Sequence, residues 1–344
     1  MARPLDAHHH PRSADAYQGQ IFFTGTNTAA IADPDGTPVW FLAGSDSYTN
    51  LQMQTYRGSN VLTWWQGTGG PGAGGTGVGT DMLTTVDHSP LATIGADGSY
   101  APDTHEFRIT PSNTALITSF VVIPYDLSAV GGPADGQLRN AYCEEVDIAT
   151  GKVLLRWSAA DHVPLTDSYV SVPANTTSPY DFFHINSISL TPDDQLLLSS
   201  RHTCALYKVD RTSGKVLWTL GGKSSSFAVD SDAVFGFQHH AVYEEDGRIR
   251  LFDDGSDGTT TWHPSRVAWI AADEQKMTAS LADSMTIAGI QSTSQGSAQR
   301  LPNGNVFVSW GSVPRLSEFT SAGKVVFDAI LSSASYRAFK FQIS

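Results

Sequence analysis

One hairpin recurs along the chain and limits what the chain can fold into. Between Tyr180 and His202, a histidine (His184) leads into the alternating run Ile185-Asn-Ser-Ile-Ser-Leu. Thr191-Pro-Asp-Asp194 makes a tight turn, and Gln195-Leu-Leu-Leu-Ser-Ser returns to Arg201 and His202. Proline presets φ at the turn and the aspartates tolerate the bend. The same layout appears at His105–Ser119 around Pro111-Ser-Asn113, and at His239–Phe252 around Glu245-Asp-Gly247. It appears again at Ser297–Trp310 around Pro302-Asn-Gly304, and less tidily at Leu51–Trp65 around Arg57-Gly58. Because a hairpin brings its ends together, Arg201 is expected beside His184 across the ladder.

A second hairpin type alternates with the first. Glu145–Trp157 and Tyr207–Trp218 are near copies built on a Thr/Ser-Gly-Lys turn, Phe319–Phe327 is a third, and Ile31–Trp40 is a divergent fourth. One hairpin of each kind makes a four-stranded antiparallel sheet, and a fixed run of such sheets is the signature of a β-propeller. Five first-type hairpins are visible. Gln20–Phe41 lacks one and is expected to pair with Tyr336–Phe341, so that both ends of the chain close a sixth blade and leave fewer exposed edges. The expected fold is therefore all-β, a six-bladed propeller in one domain over 17–344. Only Ala272–Ala282 has a helix-compatible composition, and a strand fits it equally well.

Residues 1–16 carry His8-His9-His10 and no apolar core, and are expected to form a disordered tail rather than a signal peptide. On that basis the chain is expected to be cytoplasmic as it stands, or secreted if a signal has been removed. Cys143 and Cys204 are too few for a disulfide framework; one bridge and two buried thiols both fit. Asn175-Thr-Thr is a glycosylation sequon, relevant only to a secreted chain. The net charge of −13, with only 21 Lys+Arg, argues against a nucleic-acid partner. No apolar run is long enough to span a membrane as a helix.

In a propeller the first strand of each blade lines the central channel. Equivalent positions there hold Gln52, His105, His184, His239 and Ser297, so three histidines from distant sequence are expected at one mouth beside Arg201. Three imidazoles can bind zinc, but Arg201 repels a cation and Glu106 should point to the other face by strand alternation. A purely structural role for the histidines is the other alternative. The reading preferred is an anion site, in which imidazole and guanidinium groups hold a transferred oxyanion. Tyr56, Trp64, Trp65, Phe182 and Phe183 are candidates for an aromatic wall. The glycine-rich run Gly67–Gly79 is followed by no helix and fits no phosphate-binding spacing, so it reads as a loop near the mouth.

These residues resemble the arylsulfate sulfotransferases. The likeness is carried by Asp181-Phe-Phe-His-Ile-Asn-Ser-Ile, Ser199-Ser-Arg-His202, Phe237-Gln-His239 with Leu251-Phe-Asp-Asp-Gly255, and His105-Glu-Phe. It runs from about Gly19 to Phe341, includes Trp157–Leu165, and looks closest to the compact branch found in fungi and actinobacteria. The resemblance implies a six-bladed propeller that moves a sulfuryl group between phenols without a nucleotide donor and needs no cofactor or metal. It places the sulfuryl-accepting histidine at His239 and its anion-stabilising partners at His105, His184 and Arg201. Gln52, Tyr56, Trp65, Phe183, Asn186, His202 and His240 are the expected substrate contacts. The sequence departs from the family pattern at His240, at its Gln342-Ile-Ser end, and in lacking a secretion signal. The expected partner is a small aromatic or phenolic substrate, with the protein a monomer or homodimer. Two other functions stay open: a cyclase, lyase or hydrolase using the same histidines as general acid and base, and a ligand-binding propeller without catalysis.

Overall fold

In a computed structural model, which describes residues 5–6, 13–70 and 75–343, the chain forms six antiparallel sheets arranged as a six-bladed β-propeller. Blade 2 holds Ser47–Tyr56, Ser59–Gly69, Gly77–Thr85 and Pro90–Ile94. Blade 3 holds Pro102–Ile109, Thr114–Tyr125, Gly136–Asp147 and Val153–Ser158. Blade 4 holds Ile185–Leu190, Leu196–Ser200, Ala205–Val209 and Val216–Gly221. Blade 5 holds His239–Tyr243, Ile249–Asp253, Arg266–Asp273 and Thr278–Met285, with Ala228–Val229 added in parallel at its outer edge. Blade 6 holds Ser297–Arg300, Val306–Ser309, Arg315–Phe319 and Val325–Leu331. Blade 1 closes the ring. Its inner strand is the C-terminal Ala338–Phe341, paired with Gln20–Gly25 in the register Gln20↔Phe341 to Phe23↔Ala338, and Thr28–Ala32 and Pro38–Ala43 complete it.

The turns explain why the hairpins form. Thr191 and Gln195 close theirs with a 2.8 Å backbone bond, Asp194 N–H donates to Thr191 at 3.0 Å, and Asp194 adopts φ +59°. Thr110, Asn113 (φ +62°) and Thr114 repeat this in blade 3. Asn and Asp are among the few side-chain-bearing residues that take up this conformation readily. The composition of 272–282 is resolved as strand, since Thr278–Met285 pairs with Arg266–Asp273. Among the described residues there is no α-helix, only three short 3₁₀ turns.

Packing follows strand alternation. In Gln20–Gly25, Ile21 and Phe23 pack toward blade 6 while Phe22 packs toward blade 2. Each neighbouring pair of blades encloses one apolar cluster, six in all among the described residues. A buried Phe or Leu in these layers contributes roughly 1.5–3 kcal/mol relative to exposure. The expected tail at 1–16 lies largely outside the described residues. The parts that are described pack on blade 6: Leu5–Asp6 pairs with Leu331 and Ile330, and Ala16 is buried. Cys143 and Cys204 are both buried free thiols. Asn175 is exposed in the loop before blade 4, and no helix is long and apolar enough to cross a membrane.

Candidate active site

The ring axis brings three blades to one cavity of about 410 Å³. His105 lies in the inner strand of blade 3, His184 immediately precedes that of blade 4, and His239 is the first residue of that of blade 5. Arg201 follows the second strand of blade 4, and its N–H donates to His184 O at 3.0 Å, the expected cross-hairpin pairing. His105, His184, Arg201, His202 and His239 all line the cavity, together with Gly75, Arg139, Asp181, Gln295 and Tyr336. The rings of His105 and His184 meet edge to face at 4.8 Å, and those of His184 and His202 lie 4.6 Å apart.

Every one of the three expected histidines is held by an aspartate that sequence reasoning missed. Nδ1 of His239 lies 2.7 Å from Asp254 Oδ2, Nδ1 of His184 lies 2.6 Å from Asp181 Oδ2, and Nδ1 of His105 contacts Asp103 Oδ1. A carboxylate on one imidazole nitrogen fixes the ring and aims the other nitrogen. For His239 the tautomer is determined independently. The Gln295 backbone N–H donates to His239 Nε2 at 3.2 Å, so Nε2 carries the lone pair and Nδ1 carries the proton that Asp254 accepts.

Burial lowers His239 and His184 well below the usual histidine range. Arg201 adds to the effect on both rings, as does the mutual repulsion of the cavity imidazoles. Burial and then His184 push His202 down to about 3. Burial also keeps the Tyr336 hydroxyl protonated far into the alkaline range. Arg201 donates through Nη2 to Thr293 O at 2.9 Å, its Nε has no partner, and its guanidinium lies over the Phe237 ring at 5.5 Å. The cavity is thus lined by fixed guanidinium charge and by the neutral imidazoles of His184, His202 and His239. Asp181, His184 and His202 are the residues best placed to hold a metal, with ligand atoms within 4.8 Å of one another. Both ring Nδ1 atoms are already hydrogen-bonded to Asp181, and Arg139 and Arg201 on the same wall oppose a cation.

Backbone strain collects here. His184 (φ +53°), Phe237 (φ +57°) and Gln295 (φ +69°) all hold left-handed conformations that cost energy outside glycine.

The glycine-rich run has a packing explanation. A Cβ on Gly77 or Gly79 would lie 2.6 or 2.7 Å from the indole of Trp65, which is fully buried and donates to Pro102 O at 2.9 Å. Both ends of the run are paired strand rather than loop, Gly67 opposite Gly79 and Gly69 opposite Gly77, but a Cβ on Gly75 between them would come within 3.0 Å of His184 Cε1, so that part does sit at the mouth. Residues 71–74 of the run lie outside the described residues.

Several expected contacts are elsewhere. Trp65 and Phe183 are core residues, and Trp64 and Phe182 are also buried in blade interfaces. Asn186 is buried below the site, where its side chain donates to Gln238 O at 2.6 Å. Tyr56 packs at the far end of its inner strand. Gln52 and His240 line a different cavity, described below. The cause is a set of β-bulges, between Thr49 and Gln52 and between His239 and Val242, which break the alternation on which the equivalence of positions was based. Glu106 does turn away from the cavity, toward the ring axis, where it pairs with Arg337 at 3.0 Å.

Fold and site together define a propeller with a histidine–arginine cavity at one mouth. The profile of the arylsulfotransferase (ASST) family matches residues 52–332, and the chain belongs to that family. No curated protein matches it. Among solved structures it is similar to a protein of unknown function from Bacteroides caccae, at 13% identity and a TM-score of 0.57, over 94% of this chain and 98% of that one. It is also similar to a functionally unknown protein from Desulfotomaculum acetoxidans, at 14% identity and a TM-score of 0.50, over 95% and 86%. At such identities the likeness speaks for the fold.

Proposed function

We propose that this protein transfers a sulfuryl group from an aryl sulfate to a phenolic acceptor, without a nucleotide or other cofactor, through a sulfo-histidine at His239. The observation that carries the reading is the state of that ring. Nδ1–H is held by Asp254, Nε2 carries the lone pair and accepts the Gln295 N–H that an incoming sulfuryl group would displace, and burial keeps the imidazole neutral. A neutral, oriented imidazole is a nucleophile at neutral pH.

In the first half-reaction, Nε2 forms a bond to sulfur as the sulfur–aryl oxygen bond breaks. Sulfuryl transfer is expected to resemble phosphoryl transfer, with a loose transition state whose charge spreads over the oxygens, so positioning and electrostatics dominate. Arg201 and Arg139 supply the fixed positive charge, and Asp254 stabilises the imidazolium that forms. The departing phenolate takes a proton from a histidine. That role is assigned to His105, which lines the cavity and is held by Asp103. In the second half-reaction the acceptor phenol returns a proton to His105 as its oxygen attacks sulfur. The nitrogen–sulfur bond breaks and His239 regains its lone pair.

The test is to mix the protein with an aryl sulfate, omit acceptor, quench in base, and map the modified peptide by mass spectrometry. One sulfuryl group on the peptide containing His239, absent in His239→Ala, is expected. Donor consumption without an adduct, with turnover preserved in His239→Ala, would replace covalent transfer with acid–base chemistry.

A further inference from the structure

The inner strands of a propeller run side by side from one mouth to the other, and the histidine cavity takes residues from their starts. A second, larger cavity of about 890 Å³ takes residues from their other ends, among them Ile109, Leu190, Tyr243 and Phe341. Between the two lie Glu106, Arg337 and Asn186, all fully buried; Arg337 Nη1 donates to Glu106 at 3.0 Å and Nη2 to Asn186 O at 2.6 Å. The second cavity is therefore a separate compartment, and nothing in the sulfuryl-transfer reading uses it.

Its charge is unusual for this chain. Overall the protein has 34 Asp+Glu against 21 Lys+Arg. Yet the lining of this cavity contains Arg57, Arg108 and Arg250, with His240, and no carboxylate. The carboxylates behind the wall do not neutralise it, because each is shared by two guanidiniums. Glu106 pairs with Arg337 at 3.0 Å and Arg108 at 3.8 Å, and Glu244 pairs with Arg250 and Arg300, both at 2.5 Å. Each triad keeps one net positive charge in a partly dry setting, where an unbalanced charge is costly unless something pairs with it. Arg108 Nε, Ser189 Oγ and His240 Nδ1 are sealed from solvent without hydrogen-bond partners. The rest of the wall is apolar, with Leu190, Val242, Phe339 and Phe341, and glutamine amides from Gln52, Gln54 and Gln299. The volume falls within the roughly 300–1,000 Å³ of small-molecule pockets.

We propose that this second cavity binds an organic monoanion with an apolar body, an aryl or alkyl carboxylate or sulfonate-like headgroup, held by Arg108 and Arg250 at the floor and steered by Arg57 at the rim. The body packs on Phe339, Phe341 and Leu190. This site is independent of His239 and of the chemistry there.

The experiment is calorimetric titration with 2-naphthoate, with 2-naphthalenesulfonate to compare headgroups and with 2-naphthamide as the uncharged, non-phenolic control. Wild type and His239→Ala are expected to bind the anions alike, and 2-naphthamide at least tenfold more weakly. Arg108→Gln should weaken anion binding at least tenfold while aryl sulfate turnover stays within twofold. Arg57→Gln, at an exposed turn position whose backbone bond to Asn113 the substitution leaves in place, should weaken it less and flatten its salt dependence. If Arg108→Gln lowers the melting temperature by more than a few degrees, Val242→Trp, which fills the cavity from its wall, takes its place with the same expected loss. Undiminished binding in these variants, or loss in Arg201→Gln instead, overturns the proposal, the latter by placing the anion in the histidine cavity.

Discussion

His239 and Asp254 face each other at 2.7 Å although fifteen positions separate them, because His239 opens the inner strand of blade 5 and Asp254 directly follows the strand paired with it. The hairpin that creates the channel wall also delivers the carboxylate to the back of the ring. Removing that carboxylate tests what it does. Asp254→Asn is expected to lower kcat by about 10²–10⁴-fold with KM little changed, in line with the loss seen when a ring-orienting aspartate is neutralised. Steady-state kinetics with a chromogenic aryl sulfate checks it. A loss confined to KM would mean that Asp254 acts on binding.

Arg201 is expected to act through the shape of its guanidinium as well as its charge. Arg201→Lys keeps the charge but cannot hold two sulfuryl oxygens with one planar fork, and should lose about 10²-fold in kcat/KM with an unchanged melting temperature. Near-normal turnover would reduce Arg201 to an ion-pair or fold residue.

The depressed His202 makes a prediction about acid stability. Its imidazole titrates near 3 when folded, against about 6.5 in the unfolded chain. Between those values the unfolded state binds a proton that the folded state refuses. The stability linked to this group is therefore complete above 6.5 and declines as pH falls toward 3. At pH 5 the penalty is up to about 2 kcal/mol. Urea unfolding at pH 7.5 and pH 5 should show the wild type losing that much more than His202→Asn, and parallel losses would contradict it.

Gly75 has a steric role that activity should report. Gly75→Ala places a methyl group 3.0 Å from His184 Cε1 on a backbone with φ +84°. Since 3.0 Å is closer than ordinary contact, the His184 ring or the loop must shift, and kcat/KM is expected to fall roughly tenfold, with the positive φ lowering stability by only about 1–2 kcal/mol because the core is untouched. Unchanged kinetics would show that the hairpin tip yields freely.

The axis ion pair should be costly to break from one side. Glu106→Leu leaves Arg337 buried without its carboxylate and is expected to destabilise the fold by about 3–5 kcal/mol, whereas Glu106→Leu with Arg337→Met should recover much of it. Chemical denaturation of both variants decides it; an additive double variant would deny the coupling.

The propeller was legible because its repeats are local. A proline- or glycine-bearing turn between two alternating strands needs no knowledge of the rest of the chain, and the pairing of Gln20–Gly25 with Ala338–Phe341 followed from counting hairpins. The cavity was legible to the extent that His105, His184, Arg201 and His239 begin or end those hairpins. Asp103, Asp181 and Asp254 were not, because they stand two, three and fifteen positions from their histidines and share no spacing. Arg139, Gln295 and Tyr336 arrive from a long third strand and from the loops leading into inner strands, where no periodicity applies. Gln52 and His240 were misplaced for a physical reason: a bulge adds a residue without changing composition, and the positions beyond it turn to the opposite face of the strand.

Glu106 and Arg337, with Asn186 beside them, also determine how molecules pass through the ring. A propeller with a clear axis has a front and a back door, but here, among the described residues, these three fill the axis behind the histidine chamber. Under the proposed transfer, a spent phenol must leave by the passage the acceptor needs, so the two compete for it. With two half-reactions, as proposed, this would enforce alternation without any moving gate. Released phenol should therefore inhibit competitively against the acceptor, and crowding by excess donor should slow the second half of the cycle before it affects the first.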